Sequence, residues 1–193
     1  MTQTYPVLDV ARFFIDYYGR SADPVNLARV QMFVYYAQAE SLCRNGRPLF
    51  EDDFRAYPSG PAITRLNVHF EDYGNQPITL VVPFDDSVFE DDDLKLLMDV
   101  AVFYNDFSTS RMEIMAFAHG GPWEQVYSQG EDLAVIEKDV ITEYHSKFDR
   151  VPDYKAYMFS MLQRSCGMIR STEDAVRHDE STAIYSQNGS SKA

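Results

Sequence analysis

The sequence is poor in cysteine and histidine, the side chains from which disulfide frameworks and most zinc sites are built. Its only cysteines, Cys43 and Cys166, lie far apart, and neither belongs to a CxxC pair. The four histidines form no HxxxH or HExxH pattern. We therefore predict no disulfide and no metal site, and a reducing compartment is the natural expectation.

Basic residues are also scarce, since 17 Lys and Arg against 30 Asp and Glu give a net charge of −13. Affinity for nucleic acid comes largely from Lys and Arg that displace counterions from phosphates, so we expect no direct DNA or RNA ligand. The same excess of carboxylates would speed the encounter with a basic protein by long-range attraction. A basic partner protein is therefore allowed, although acidity alone also promotes solubility.

Long apolar runs are missing as well. No segment approaches the roughly 20 apolar residues that are needed to span a bilayer. The N-terminal stretch has no basic start, and the charges of Asp9, Arg12 and Asp16 interrupt it where a secretory leader would be apolar. These features predict a cytoplasmic protein without a membrane partner.

The common catalytic motifs are absent: the chain has no GxSxG elbow, no GxxxxGK[ST] loop and no GxGxxG turn. We therefore predict no enzyme, no catalytic residue and no cofactor. His119 is the residue most open to a catalytic interpretation, because two glycines and a proline follow it and a ligand could approach the backbone there. We favour the alternative, in which His119 satisfies backbone groups at a helix end while Trp123 seals the core.

What the chain does contain is enough apolar surface for a core. Of its 193 residues 45% are hydrophobic and 24% charged, which is typical of one globular domain. Apolar residues at three- and four-residue steps predict helices over 6–18, 24–45, 63–73, 94–105, 110–117, 137–148 and 153–168. Asp23 with Pro24 is expected to open the second helix, and Ser110 to begin the fifth in a capping box.

One strand is predicted over 78–82, where ITLVV is rich in β-branched residues and lies between Pro77 and Pro83. This strand would pair with the 47–57 loop or with the edge strand of another chain. The predicted fold class is mainly α: a single compact multi-helix domain with at most one short strand or hairpin around 78–82.

Six acidic residues fall between positions 85 and 93, just ahead of the fourth predicted helix. Acidic side chains at a helix start complement the helix dipole, and this is the interpretation that we favour. A calcium site is the alternative, but the glycine and terminal glutamate of an EF-hand loop are missing.

Tyr35 and Tyr36 are adjacent in the second helix, and two large side chains do not both fit one narrow core stripe. We expect at least one of them at a boundary, where tyrosine is a common interface anchor. Core and interface are weighed equally for this pair.

Five motifs occur in order along the chain: VQMFVYYAQ, GRPLF, AYPSGPAI, FEDYGNQPI and HGGPWEQV. In sequence and spacing they resemble the Panacea domain of SocA-like antitoxins and phage-associated GepA-type proteins, over about residues 7 to 148. The resemblance implies a set of residues that bind a partner or support the motifs: Gln31, Tyr35, Tyr36, Gln38, Tyr57, Gly60, Pro61, His119, Pro122 and Trp123. All of these match the family pattern except Tyr57, which stands where the family usually has tryptophan.

The resemblance also implies a function, namely an antitoxin that neutralises a cognate toxin protein by direct binding and that in some family members delivers it to a cellular protease. The alternative is a phage-associated accessory or scaffold protein that binds host or phage proteins without neutralising a toxin. A two-gene operon would favour the first and an isolated place in a phage gene cluster the second. A small homo-oligomer is left open.

The predicted organisation has three parts: a helical domain over 1–150, a helical extension over 151–170, and a flexible polar tail over 171–193.

Overall fold

The structure is a computed structural model that describes residues 3–20, 23–80, 82–127 and 133–148. The predicted helix at 153–168, the extension and the tail lie outside these ranges. The elements of the described part, in chain order, are α1 (Val7–Arg20), α2 (Leu27–Asn45), β1 (Phe54–Tyr57), β2 (Gly60–Ala62), α3 (Thr64–His69), α4 (Asp91–Phe103), α5 (Thr109–Ala116), α6 (Pro122–Tyr127), β3 (Val135–Ile136) and α7 (Lys138–His145). Single turns of 3-10 helix cover Glu71–Tyr73 and Asp86–Val88. The prediction of a mainly helical fold is confirmed.

Helix α2 is the centre of the fold, and every residue from 30 to 42 is buried. Helices α1, α4, α5 and α7 and strand β2 pack around it. A helix that is buried on all sides must carry apolar or internally paired side chains around its whole circumference. This explains why its sequence has no single apolar stripe.

The start of α2 differs from the prediction. The side chain of Asn26, and not that of Asp23, caps the helix by accepting a hydrogen bond of 3.1 Å from the Arg29 amide. Residues 23–26 lie outside the helix, Asn26 has an extended backbone, and the Val25 carbonyl accepts a bond of 2.8 Å from the Ile78 amide. This bond holds the backbone out of the helical conformation past Pro24.

The predicted strand at 78–82 is wrong for the residues that the structure describes there. Residues 78–80 and 82 form no strand, and the one backbone bond of Ile78 to Val25 does not extend into a ladder. Ile78 is nevertheless buried, at 1% exposure. Of the β-branched residues described in this segment only Ile78 is used for packing, since Thr79 and Val82 are exposed.

A three-stranded antiparallel sheet forms elsewhere, in the order β2-β1-β3. The segment predicted to be a structured loop, 47–61, turns at Pro58 and Ser59 and pairs Tyr57 with Gly60. Strand β3 adds to the other edge, with Phe54 opposite Ile136. The sheet anchors this part of the chain on α2.

Helix α5 begins two residues earlier than predicted. Its N-cap is Ser108, whose Oγ accepts a hydrogen bond of 3.2 Å from the Arg111 amide. Ser108 therefore caps the helix in place of Ser110, where the capping box was expected.

The acidic start of α4 has a double role. Asp91 and Asp92 are exposed in the first turn, as the dipole interpretation expects. Asp93, in contrast, is fully buried and accepts hydrogen bonds from Arg47 at 2.6 and 2.8 Å and from the Tyr5 hydroxyl at 2.8 Å. It ties the N-terminal segment, the loop after α2 and α4 together.

No helix among the described residues is long and apolar enough to cross a membrane.

Candidate functional site

Two glutamines of α2 hold the backbone of the following segment. Gln38 accepts hydrogen bonds from the amides of Leu49 (2.8 Å) and Phe50 (3.3 Å), and it donates one of 2.9 Å to the Phe50 carbonyl. Gln31 does the same two turns earlier, by accepting from the Ile63 amide (3.0 Å) and donating to the Ile63 carbonyl (3.1 Å). We call Gln31 and Gln38 the glutamine clamp. Both are buried, so their geometry is that of motif support.

Tyr35 and Tyr36 are both buried in the core, at 0% and 4% exposure, and Tyr36 also lines the groove described below. Their hydroxyls find internal partners, which lets both rings enter the core. The Tyr36 hydroxyl donates to the Met112 carbonyl at 2.9 Å, and the Tyr35 hydroxyl shares a hydrogen bond of 3.1 Å with Nε2 of His145. Burial raises the pKa of both tyrosines, so they remain protonated at any physiological pH.

The hairpin motif and the last motif meet in space. Trp123 is half-buried and donates from Nε1 to the Tyr57 carbonyl at 2.8 Å. Gly60 is buried with a φ of +118°, and a Cβ there would lie 3.4 Å from the Phe117 ring. Pro61 and Pro122 are buried beside them. The backbone conformation favours glycine at this position, whereas the space beside the Phe117 ring would accept a Cβ at ordinary contact distance.

His119 lies at the surface with its side chain 99% exposed. Its Nδ1 is 3.0 Å from a carboxylate oxygen of Glu124, whose Oε2 also accepts a bond of 2.6 Å from the Gly120 amide. These hydrogen bonds lower the pKa of Glu124. The backbone group at this helix end is therefore satisfied by Glu124, and not by His119 as predicted. His119 does not line the groove described next.

A groove of about 320 Å³ opens where α2 meets the ends of α4, α5 and α7. We call it the aromatic groove. Its lining residues are Tyr36, Ala39, Glu40, Cys43, Phe103, Tyr104, Met115, Ala118, Tyr144, His145 and Phe148. At the rim Met115 and Phe148 are 39% and 55% exposed, which is unusual for large apolar side chains. The volume lies at the lower end of the range of ligand and side-chain pockets.

The wall of the groove carries one acidic side chain, Glu40, which is only 7% exposed. Nε and Nη2 of Arg44 donate to its Oε1 at 3.0 and 2.7 Å. Nη1 of Arg44 also donates to the buried Asp99 at 2.7 Å, and Nζ of Lys95 lies 3.0 Å from the same Asp99 oxygen. One guanidinium thus bridges two carboxylates. Burial raises the pKa of Tyr104, and the negative charge of Glu40 adds to this effect.

His145 is neutral at physiological pH. Burial lowers its pKa to about 4 from the ordinary 6.5. The groove wall therefore carries no positive charge from this residue, and its imidazole acts as an aromatic surface and hydrogen-bond partner of Tyr35.

Of the predicted site residues, only Tyr36 lines the groove. The sequence did not identify Glu40, Cys43 and His145 as site residues, because these three residues do not form a recognisable motif. One signal was available: Tyr144 and Phe148 are four residues apart in the helix predicted over 137–148, and this spacing places two aromatic rings on one face. Among the described residues there is no group of three or more His, Cys, Asp or Glu that could hold a metal ion.

Comparison with known protein families gives one match. Residues 30–124 match the model of the family described as "Antitoxin SocA-like, Panacea domain". The predicted resemblance is thereby confirmed. No curated protein and no solved structure matches the chain. The matched segment runs from α2 to α6 and so includes the glutamine clamp, the hairpin and three of the four walls of the aromatic groove.

Proposed function

With a SocA-like Panacea domain as the premise, we propose that this protein is an antitoxin that neutralises a cognate protein toxin by direct, stoichiometric binding and makes or breaks no bond itself. The observation that carries the proposal is the family match over residues 30–124. The family name is that of SocA-like antitoxins, and an antitoxin of this kind acts on a partner protein.

The aromatic groove is the surface that we assign to the toxin. It is concave, it is lined mainly by aromatic and aliphatic side chains, and its rim exposes Met115 and Phe148. Large aromatic side chains around a pocket are typical of the centre of a protein interface, where a few residues supply most of the binding energy.

Net charge supports the same function. At −13 the chain attracts a basic protein over distances of about a Debye length, which is roughly 8 Å at physiological ionic strength. A basic toxin would therefore associate faster at low salt. Fast association favours neutralisation, because a toxin must be captured before it reaches its target.

Co-expression tests the proposal. The product of the neighbouring reading frame is expected to stop growth when expressed alone and to be harmless when this protein is co-expressed, and the two should purify as a complex of fixed stoichiometry by light scattering. The proposal fails if that product is harmless alone, or if it remains toxic while this protein is present and folded.

Delivery of the toxin to a cellular protease is a further part of the proposal. It predicts that the half-life of the toxin falls when this protein is present and recovers in a protease-deficient host. An unchanged half-life with full neutralisation would leave binding as the whole mechanism.

A matched pair of variants tests the assigned surface. Phe148→Ser removes an exposed ring from the groove rim, whereas Val68→Ser changes an equally isolated apolar side chain on α3, 63% exposed, that does not line the groove. Phe148→Ser should weaken the complex about tenfold or more, as loss of an anchor does, and Val68→Ser should leave it unchanged. Equal effects would place the toxin elsewhere.

A further inference from the structure

We propose that the aromatic groove receives the side chain of an arginine from the toxin, with its guanidinium between aromatic rings and beside the Glu40 carboxylate. This inference rests on the proposed function and specifies the chemistry of the partner at that surface.

The first observation is the choice of lining residues. Five aromatic side chains surround the groove: Tyr36, Phe103, Tyr104, Tyr144 and Phe148. The faces of such rings are electron-rich and attract a cation that lies within about 6 Å of the ring centroid. An apolar side chain would fill such a pocket equally well, so the rings alone do not decide between the two occupants.

The second observation is Glu40, a carboxylate in this otherwise apolar wall. Both hydrogen bonds from Arg44 end on Oε1, so Oε2 accepts none from the residues that the structure describes. Arg44 also donates to Asp99, which Lys95 contacts as well, so Glu40 shares its one cationic partner with a second carboxylate that has a lysine of its own. This oxygen is therefore open to a donor that enters the groove, and a guanidinium donating to a carboxylate makes one of the stronger hydrogen bonds in proteins.

The third observation is the absence of a competing charge at the wall. His145 is neutral at pH 7, since burial lowers its pKa to about 4. Among the lining residues that the structure describes, Glu40 is the one acidic side chain, and none carries a positive charge at pH 7. The net charge of −13 of the whole chain favours a cationic ligand.

Arginine fits these features better than lysine. The guanidinium is planar, stacks on aromatic faces and is less strongly hydrated than an ammonium group, so it loses less hydration on entering a pocket. Its aliphatic stem would lie along the exposed rim of Met115 and Phe148, as long charged side chains do on apolar surface.

Two small probes test the groove without a toxin. Nα-acetyl-arginine amide and its neutral isostere Nα-acetyl-citrulline amide are titrated into the full-length protein, and the 13C-methyl resonance of Met115 is followed by NMR. The arginine probe should shift this resonance and bind about tenfold more tightly than the citrulline probe. Equal binding of the two probes, or no shift of Met115 with either, would overturn the inference.

A matched pair of charge variants tests how much the Glu40 carboxylate contributes to binding of the arginine probe. Glu40→Gln keeps an oxygen that accepts from Arg44 but removes the negative charge. Glu90→Gln makes the same change in an exposed residue at the N-terminal end of α4, about 20 Å along the helix from Tyr104. Preference for the arginine probe should disappear in Glu40→Gln and persist in Glu90→Gln. Urea unfolding establishes that both variants are folded.

The same variants with the toxin separate this inference from the proposed function. If the wild-type protein neutralises the toxin and Glu40→Gln weakens the complex about tenfold while Glu90→Gln does not, the inference holds. If both variants neutralise equally well, the inference fails and the proposed function stands. If the wild-type protein does not neutralise the toxin, the proposed function fails, and the two probes still decide what the groove binds. Self-association of this chain that Phe148→Ser abolishes would identify a second copy as the occupant and would also overturn the inference.

Discussion

Gln38→Leu should destabilise the protein strongly while leaving its shape and apolar volume nearly intact. In the native structure the Gln38 side chain satisfies two backbone amides and one carbonyl, those of Leu49 and Phe50. All three residues are fully buried. Leucine makes none of these bonds, and water has no access to replace them.

The magnitude follows from the groups left unpaired. A buried polar group without a partner costs about 1–3 kcal/mol. Loss of the long bond of 3.3 Å from the Phe50 amide should cost an amount at the low end of this range. Loss of the bonds of 2.8 and 2.9 Å should cost more. Better burial of an apolar leucine offsets about 1–2 kcal/mol of the loss. We therefore expect a net loss of about 3 kcal/mol, a large share of the 5–15 kcal/mol by which domains are typically stable.

Urea unfolding followed by circular dichroism measures this loss as a shift in midpoint at constant slope. Gln76→Leu is the control, because Gln76 is exposed and has no side-chain hydrogen bond in the described structure. It should change stability by less than about 0.5 kcal/mol. A loss below about 1 kcal/mol for Gln38→Leu would refute the reasoning, since it would mean that the 49–50 backbone finds other partners readily.

Three further predictions concern other positions. Asp93→Asn should cost about 3–5 kcal/mol of stability, because it leaves the Arg47 guanidinium without its buried counter-charge. Gly60→Ala should cost about 1–3 kcal/mol, because an alanine is strained at a φ of +118°. Lowering the pH from 7 to 5 should cost the wild-type protein about 2 kcal/mol through His145, whose pKa of about 4 lies below the 6.5 of the unfolded chain, and His145→Gln should lack this component.

Each of these has a control within the chain. Asp92→Asn changes an exposed acid next to Asp93, and Gly19→Ala changes a helical glycine whose added Cβ would meet nothing within 4 Å. Both should be near neutral, and Gly19→Ala should even stabilise slightly. For His145 the direction of the change is decisive. Between pH 6.5 and 4 the imidazole is protonated in the unfolded state but not in the folded state, so the protein must become less stable as the pH is lowered through this range. A wild-type curve that parallels the His145→Gln curve would contradict the buried, neutral imidazole.

Helices were predictable because their signal is local. The three- and four-residue spacing of apolar residues gave α1 and α2 with only small errors at their ends, and the ends themselves depended on single hydrogen bonds, such as that of Asn26 to the Arg29 amide. The strand was placed wrongly because a β-branched composition does not supply a pairing partner: Ile78 is buried without a ladder, and Val82 is 73% exposed. Strand β3 has only two residues and exists through its pairing with β1, which no local pattern reveals.

The aromatic groove was not predictable from sequence, for a different reason. Its walls come from four helices, and the hydrogen bond that sets Tyr35 against His145 joins residues 110 positions apart. Tyr36 was selected for its motif, yet it became a site residue only because α4, α5 and α7 stop beside it. Glu40 is one of many acidic residues in the sequence, and it is distinguished only by its position between rings.

The glutamine clamp bonds only to peptide groups within the segment that it holds, those of Leu49, Phe50 and Ile63. The turn of the hairpin at Pro58 and Ser59 lies between these contacts and is exposed. The exposed turn residues Pro58 and Ser59 could therefore be replaced together while the fold is kept. This makes the hairpin tip a suitable place to graft a foreign recognition sequence or a reporter tag onto the folded protein.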